Sequence, residues 1–161
     1  MHIYTIFRIW QDLKVSADNE IYALGRLESC VFHPDTQKIG KLSDIEMPQD
    51  AVCDEETALA PFAKIKRDLS GMEYVYSHRV QYSDLDKSRH MANLRYVNLM
   101  ENVFSPEFYD QHCVKELELH YVTQSFYGDE IKMYKKSDGN SYQIAGVKAD
   151  GNIAILGMMV F

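Results

Sequence analysis

A single long stretch of this chain, residues 93–104, carries apolar residues at helical spacing, and it lies among runs that read as strands. Leu94, Val97, Met100 and Phe104 recur at intervals of three and four, and Tyr96, Leu99 and Val103 widen the arc. A helix apolar over most of its circumference is expected to be buried all round. Its neighbours decide what can bury it. Residues 72–83 alternate, with Met72, Tyr74, Tyr76, His78, Val80 and Tyr82 on one face, the period of a half-buried strand. Ser105-Pro106 restarts a short helix, with Ser as N-cap and Pro in the first helical position. Four strand-like runs follow at 115–125, 128–136, 141–149 and 152–161, with turn signals at 137–140 (SDGN) and 150–152 (DGN). One antiparallel sheet wrapped around one central helix satisfies this order, an α+β chain of hot-dog type. A ferredoxin-like arrangement would need a second long helix between the later strands, and none is visible.

The N-terminal part reads as an extra β-hairpin. Residues 2–13 are β-branched and aromatic (Ile3, Ile6, Phe7, Ile9, Trp10) and predict a strand. A turn-rich break at 14–19 precedes an alternating run at 20–34 that Pro34 ends. Residues 35–57 are polar and broken by Pro48, and 58–71 predict a short helical or irregular stretch ending at Gly71. Two strands alone are marginal in water. Ile3, Phe7, Trp10, Val31 and Phe32 need cover, so the hairpin is expected to extend the sheet of residues 72–161 or to pair across a homodimer, and a homo-oligomer is expected.

Composition excludes several classes. With 161 residues, 46% apolar and 25% charged, the chain reads as a soluble globular protein. No apolar run approaches the ~20 residues of a membrane span. The N-terminus lacks a basic region and a small-residue cleavage site, so no signal peptide is expected. Cys30, Cys53 and Cys113 are odd in number and widely spaced, and read as reduced thiols of a cytoplasmic protein. A net charge of −7 without a basic stripe weighs against nucleic acid.

The stretch SDLDKSRHMANLRYVNLMENVF, residues 83–104, concentrates the polar chemistry. Asp84, Asp86, Ser88 and His90 alternate, and an extended segment would put them on one side. Asn93 follows at the helix start, where free N–H groups and the positive dipole end lie. Together these groups could hold a carbonyl oxygen, a water and a proton acceptor, the parts that thioester hydrolysis needs. Other readings stand beside this one. Asp84 can cap a turn, Asp86 and His90 can be an ordinary loop pair, and Asn93 can be a helix cap instead of an oxyanion group. A metal site from Asp86 and His90 with His78 or His120 has no recognisable ligand spacing. The Tyr and Met residues of 91–104 read as core packing.

The segment YSDLDKSRHMANLRYVNLMENV resembles the signature of acyl-acyl carrier protein (ACP) thioesterases, in which a D-L-D-x-N-x-H-x-N-N run ends the first strand of the second of two hot-dog domains. LELHYVTQSFYGDEI is similar to that family's next strand, roughly L-x-Y-x-x-E-C before a Gly-Asp turn. FRIWQDL and EIYALGRLESCVFHPDTQKIGKL resemble the last hairpin of its first hot dog, with a W-x-x-x-D strand and a D-x-x-T-x-K/R turn. The resemblance covers nearly the whole chain. It implies a remnant of a first hot dog at 1–47, a linker at 48–71 and a complete hot dog at 72–161. It further implies hydrolysis of fatty acyl thioesters on ACP in fatty acid biosynthesis, without metal or organic cofactor.

Residue by residue, the family's catalytic Asp falls on Asp86 and its His on His90. Its Asn falls on Ser88, its later Glu on Gln124, and the following Cys on Ser125. The Glu is commonly assigned as the base that activates water, and a neutral amide such as Gln124 accepts no proton. Gln124 can also be an ordinary exposed strand residue, and Ser125 as a replacement nucleophile lacks a firm base partner. Retention of Asp86 and His90 favours an enzyme. The changes at 88 and 124 favour the alternative, a catalytically impaired or truncated hot-dog domain that binds acyl groups or a partner. An acidic carrier would need a local basic patch on this acidic chain, and Lys64, Lys66 and Arg67 or Lys135-Lys136 are candidates.

Overall fold

The computed structural model describes residues 2–5, 8–33, 35–36, 38–46 and 58–161, the side chains from residue 8 onward. Expectations for Ile6, Phe7, Pro34, Pro48 and Cys53 lie outside the described residues. The chain divides into two compact units, Met1–Pro61 and Phe62–Phe161.

In the first unit, β1 (His2–Thr5), β2 (Arg8–Ala17) and β3 (Glu20–Cys30) form a three-stranded antiparallel sheet, with β2 central. The β2–β3 ladder runs from Arg8↔Cys30 to Ala17↔Glu20. The break expected at 14–19 shrinks to Asp18-Asn19, because both take positive φ (51° and 64°), the pair of left-handed residues that a two-residue I′ turn requires. Strand β2 therefore continues through Val15 and Ala17. One face carries cross-strand pairs: Arg26 grips the Asp12 carboxylate through Nε at 2.7 Å and Nη2 at 3.0 Å, and its guanidinium lies over Trp10. Short strands β4 (Phe32–His33) and β5 (Lys38–Ile39) then pair, and a 3-10 turn follows at Leu42–Asp44.

The second unit is one five-stranded antiparallel sheet and its helices. In chain order it comprises β6 (Glu73–Arg79), α1 (Asn93–Glu101), α2 (Pro106–Tyr109), β7 (Glu116–Tyr121), β8 (Glu130–Asp138), β9 (Ser141–Lys148) and β10 (Ile153–Val160). The sheet order is β6-β8-β9-β10-β7. Gly139 and Gly151 take positive φ in the two hairpin turns signalled by SDGN and DGN. Pairing aligns Tyr121 with Ile155, Leu119 with Gly157 and Leu117 with Met159, and on to Gly146, Ile144 and Tyr142 of β9. These residues share the helix-facing side. The core there joins Tyr96, Leu99, Met100 and Val103 to Ile131, Met133, Ile144, Ile155 and Met159, all buried. Burying each such side chain contributes about 1.5–3 kcal/mol.

The helix departs from the expectation of all-round burial. It spans nine residues, and Leu94 is 69% exposed beside exposed Asn93 and Arg95. It packs with one face, and Leu94 falls on the solvent side because position 94 lies two residues before Tyr96, across the helix. The alternation predicted for 72–83 breaks as well. A bulge between Tyr74 and Tyr76 shifts the register, and Tyr82 enters a 3-10 turn, 84% exposed. The short helix at Ser105 forms as expected: the Phe108 N–H donates to Ser105 Oγ at 3.3 Å, with Pro106 first.

The opposite face of the sheet is also covered. Ala145 and Leu156 are buried there. Residues 62–71 are irregular, not helical, and run across that face: the Ala63 N–H donates to Glu118 of β7 at 3.0 Å, and Lys136 of β8 donates to the Ser70 carbonyl at 3.2 Å. Among the described residues no helix is long and apolar enough to cross a membrane. Cys30 and Cys113 are exposed free thiols.

Met100 seats on the sheet where Gly157 leaves room. A Cβ at 157 would press on the Met100 thioether, 2.6 Å from Sδ, and lie 3.0 Å from the Glu118 carbonyl oxygen. Gly157→Ala should therefore cost about 1–3 kcal/mol by overpacking. Met100→Ala alone should cost about 2–5 kcal/mol. In the double variant the costs should fall short of additive, because the clash partner is gone. Urea unfolding of the four proteins measures this, and strict additivity would remove Met100 from the contact.

A cleft at the start of helix α1

The site is built by a chain reversal after β6. Asp84 ends the 3-10 turn Tyr82–Asp84, and its Oδ2 accepts from the Gln81 N–H and from His78 Nε2, both at 2.8 Å. Asp84 thus caps the turn, as one sequence reading had it. It is buried, and burial alone would raise its carboxyl pKa. The Gln81 N–H, His78 and Arg95 outweigh that and hold it below the usual range.

Next comes a closed loop. The Asp86 N–H donates to the His90 carbonyl at 2.9 Å, the Arg89 N–H to the Asp86 carbonyl at 3.0 Å, and Arg89 takes φ 61°. Asp86 Oδ1 accepts from the backbone N–H of Ser88 at 2.8 Å and of His90 at 3.3 Å. The segment is therefore not extended, and the four polar residues do not share one side. Asp84 turns into the fold, and Ser88 is exposed and contributes its backbone N–H. What brings Asp86 and His90 together is the tight loop, not period-two spacing.

A second segment meets the first. The Met91 N–H donates to the Ser125 carbonyl at 2.8 Å, and His90 forms an isolated bridge with Phe126. The two rings meet edge to face at 5.1 Å. Between the segments lies a cleft of about 250 Å³, lined by Asp86, His90, Asn93, Tyr96, Tyr121 and Gln124, among others. Of the five residues proposed for catalysis or the helix start, Asp86, His90, Asn93 and Gln124 line it and Ser88 does not. A larger hollow of about 580 Å³ lies at Ser77, Arg79, Asp129 and Lys148, but it contains none of these groups.

The helix start faces this cleft uncapped. Ala92, not Asn93, is the N-cap, and no side chain caps the helix. Asn93 is the first helical residue, and its carbonyl accepts from the Tyr121 hydroxyl at 3.3 Å. Free N–H groups at the positive helix end can polarise a carbonyl oxygen. Asp86 Oδ2 and the His90 ring have no hydrogen-bond partner among the described residues, so both remain available to a bound water. Gln124 is exposed, and among the described residues it engages only its backbone carbonyl, which accepts from Lys148 Nζ.

Ser125 is fully buried, and its Oγ has no partner of normal hydrogen-bond geometry among the described residues. It lies below the cleft against Tyr96, whose phenol burial pushes up in pKa, although the Ser125 hydroxyl and backbone pull the other way. That placement argues against Ser125 as a nucleophile. His78 is held by Asp84, and His120 by Glu118 at 2.6 Å. Neither joins Asp86 and His90, and the described residues hold no cluster of three metal ligands. Tyr96 and Tyr121 were legible as core and strand residues but not as cleft walls. Lys64, Lys66 and Arg67 are exposed in the segment over the other sheet face, while Lys135 is engaged with Glu73 and the Val103 carbonyl.

The Asp84 cap supports a pH prediction. A carboxyl whose folded pKa is depressed stabilises above its unfolded value of about 3.9 and loses that effect as pH falls through the folded value. Asp84→Asn should be about 1–3 kcal/mol less stable than wild type at neutral pH. The gap should narrow below about pH 4. Urea unfolding from pH 7 to 3 measures it, and a constant gap would exclude the carboxylate as its source.

Residues 70–153 match the family model described as the acyl-ACP thioesterase C-terminal domain. Among solved structures, an acyl-ACP thioesterase from Bacteroides thetaiotaomicron matches with a TM-score of 0.87 at 20% identity, over 99% of this chain and 65% of that one. The 12:0-ACP thioesterase from Umbellularia californica matches with a TM-score of 0.77 at 17% identity, over 98% of this chain and 64% of that one. No curated protein sequence matches the chain. The chain spans just under two thirds of the length of these two structures, and at such identities the likeness is one of fold, of hot-dog type. The family model covers more than half of the chain, which therefore belongs to the acyl-ACP thioesterase family.

Proposed function

We propose that this protein hydrolyses fatty acyl thioesters carried on ACP, releasing free fatty acid in fatty acid biosynthesis in the cytoplasm. The observation that carries the reading is the convergence of Asp86, His90, Gln124 and an uncapped helix start on one cleft, in a chain of this family. In the proposed reaction the thioester carbonyl oxygen lies at the α1 N-terminus. His90 takes a proton from a water held by Asp86 Oδ2 and the Gln124 amide, and the water oxygen bonds to the carbonyl carbon. The tetrahedral intermediate collapses, the C–S bond breaks, and the imidazolium returns the proton to the leaving thiolate. No metal or organic cofactor takes part in this scheme.

Several finer readings belong to the proposal. Residues 72–161 would be a complete hot dog, 48–71 a linker and 1–47 the closing strands of a preceding hot dog. Lys64, Lys66 and Arg67 would supply the positive surface for the acidic carrier, and the chain would work as a homo-oligomer. One observation favours the second reading, a domain that binds acyl groups without turnover: position 124 offers an amide where the family has a carboxylate.

Purified protein should release fatty acid from acyl-ACP and from a short butyryl thioester. His90→Ala should lower the rate about 10²–10⁴-fold, the usual effect of losing a general base. Gln124→Glu should raise it by adding a second proton acceptor, and Ser88→Asn should change it little, since Ser88 lies off the cleft. A wild-type rate equal to that of His90→Ala, with acyl-ACP still bound, would establish the binding-only reading instead.

A further inference from the structure

The segment carrying Gln124 has a clamp that the reaction scheme does not use. Lys148, the last residue of β9, has a side chain only 14% exposed, and its hydrogen bond, ion pair and ring contact fall on one loop, with the Asp150 carboxylate of the next turn a further charge acting on it. Its Nζ donates to the Gln124 carbonyl at 3.2 Å, pairs with Asp129 Oδ2 at 2.8 Å, and lies 5.8 Å from the centre of the Phe126 ring. Asp129 Oδ2 also accepts from the Phe126 N–H at 3.0 Å, and the Asp129 N–H donates to the Phe126 carbonyl at 3.0 Å. Val80 closes the base: its N–H donates to the Asp129 carbonyl at 2.8 Å, and the Gly128 N–H donates to the Val80 carbonyl at 3.0 Å. Gly128 takes φ 85°, a conformation that side chains disfavour. Through Phe126 the loop meets His90 twice, by the backbone bridge and by the edge-to-face rings.

We propose that Lys148, with Asp129 as its counter-ion, is a positioning residue that locks the loop 124–129 so that Gln124 and Phe126 are held against His90. The assignment of what is positioned rests on the hydrolase reading above. The lock itself is a matter of charge and geometry. A half-buried ammonium holds one carbonyl and one carboxylate of the same loop, and the carboxylate fixes the N–H of the residue that packs on His90. Burial alone would raise the Asp129 carboxyl, but Lys148 and the Phe126 N–H hold it below the usual range, so this carboxylate is charged at neutral pH. Neither Gln124 nor the His90 ring has another side-chain restraint among the described residues, so the loop sets their separation. A misplacement near 1 Å in such a site can cost about 10²-fold in rate.

The test uses the full chain and three variants. Lys148→Met keeps the aliphatic stem and removes the charge, Lys148→Arg keeps the charge, and Asp129→Asn keeps an acceptor for the Phe126 N–H while removing the counter-ion. Two readouts are taken: kcat and KM on the butyryl thioester, and the proton NMR position of the His90 Cε1–H, assigned by its absence in His90→Ala and displaced by the Phe126 ring. Lys148→Met should lower kcat about 10–100-fold with KM within about twofold, and should move the His90 resonance toward its unstacked position. Asp129→Asn should do the same more weakly, and Lys148→Arg should restore both. A folded Lys148→Met that keeps wild-type kcat and His90 position overturns the proposal. So does a loss in which Lys148→Arg is no better than Lys148→Met. If wild type turns over no thioester, the hydrolase reading fails by itself, and the NMR comparison alone decides the clamp.

Discussion

The contact between helix α1 and the sheet sets everything else in the second unit. Met100 presses into the space that Gly157 leaves on β10, and Tyr96 and Leu99 fill the same face. With that face fixed, the two ends of the helix fall into different surroundings. At the C-terminal end the carbonyls find donors: Tyr76 donates to Leu99 at 2.8 Å and Tyr109 to Glu101 at 3.0 Å, and just past the helix Lys135 donates to Val103 at 3.2 Å. Burial pushes the Tyr76 phenol up to about 12, so it stays a donor at any working pH. At the N-terminal end Ala92 supplies no cap. The helix is satisfied where it meets the core and unsatisfied where it meets the cleft. An unsatisfied end is tolerable because the cleft is open to water, and it becomes useful when a carbonyl oxygen replaces that water.

That asymmetry explains why two distant segments must meet. The helix start alone can polarise a carbonyl but cannot move a proton. The loop after β6 brings His90 and Asp86 to it, and the segment after β7 brings Gln124. These segments are joined by main-chain bonds, Met91 to Ser125 and Val80 to Asp129, so their separation does not depend on long flexible side chains. Carboxylates serve as structural pegs in both loops: Asp84 and Asp86 fix the first, Asp129 the second. Only Asp86 also keeps an oxygen free on the cleft. One residue type thus does two jobs, which residue spacing alone does not distinguish.

Much of the fold was legible because its signals are local. The hairpin turns at SDGN and DGN, the Ser105-Pro106 helix start and the strand order after Cys113 each follow from a few adjacent residues, and each appears with shifts of one to a few residues at its ends. The failures came where local pattern competed with three-dimensional demand. Leu94 counted toward an apolar helix yet faces outward, because the sheet covers one side of α1. The alternation of 72–83 did not anticipate the bulge at Tyr74–Tyr76, which carries no residue signature of its own. At the site, Asp86 and His90 were first picked out by a period-two argument that was wrong in mechanism, and their roles, together with Gln124, came from a family resemblance. Lys148 was not legible at all: it is an ordinary strand-end lysine until the hairpin β9–β10 brings it beneath residue 124.

The chemistry of the cleft then turns on which group can take a proton. Gln124 cannot, since a neutral amide has no basic lone pair at physiological pH. Asp86 has a free oxygen, but the Ser88 and His90 N–H groups bind its other oxygen and tie the carboxylate to the loop, which suits it to holding a water. His90 is left. Its ring has no hydrogen-bond partner among the described residues, and an imidazole can both accept the water's proton and return it to the leaving group. Among the described residues no carboxylate meets the ring to fix its tautomer. Orientation must come from packing, which is what the Phe126 edge contact and the backbone bridge provide. A histidine held by an aromatic edge rather than by a carboxylate is oriented by shape alone. Carrying catalysis on His90 therefore places the demand on geometry, and geometry here is set by the loop that Lys148 and Asp129 close.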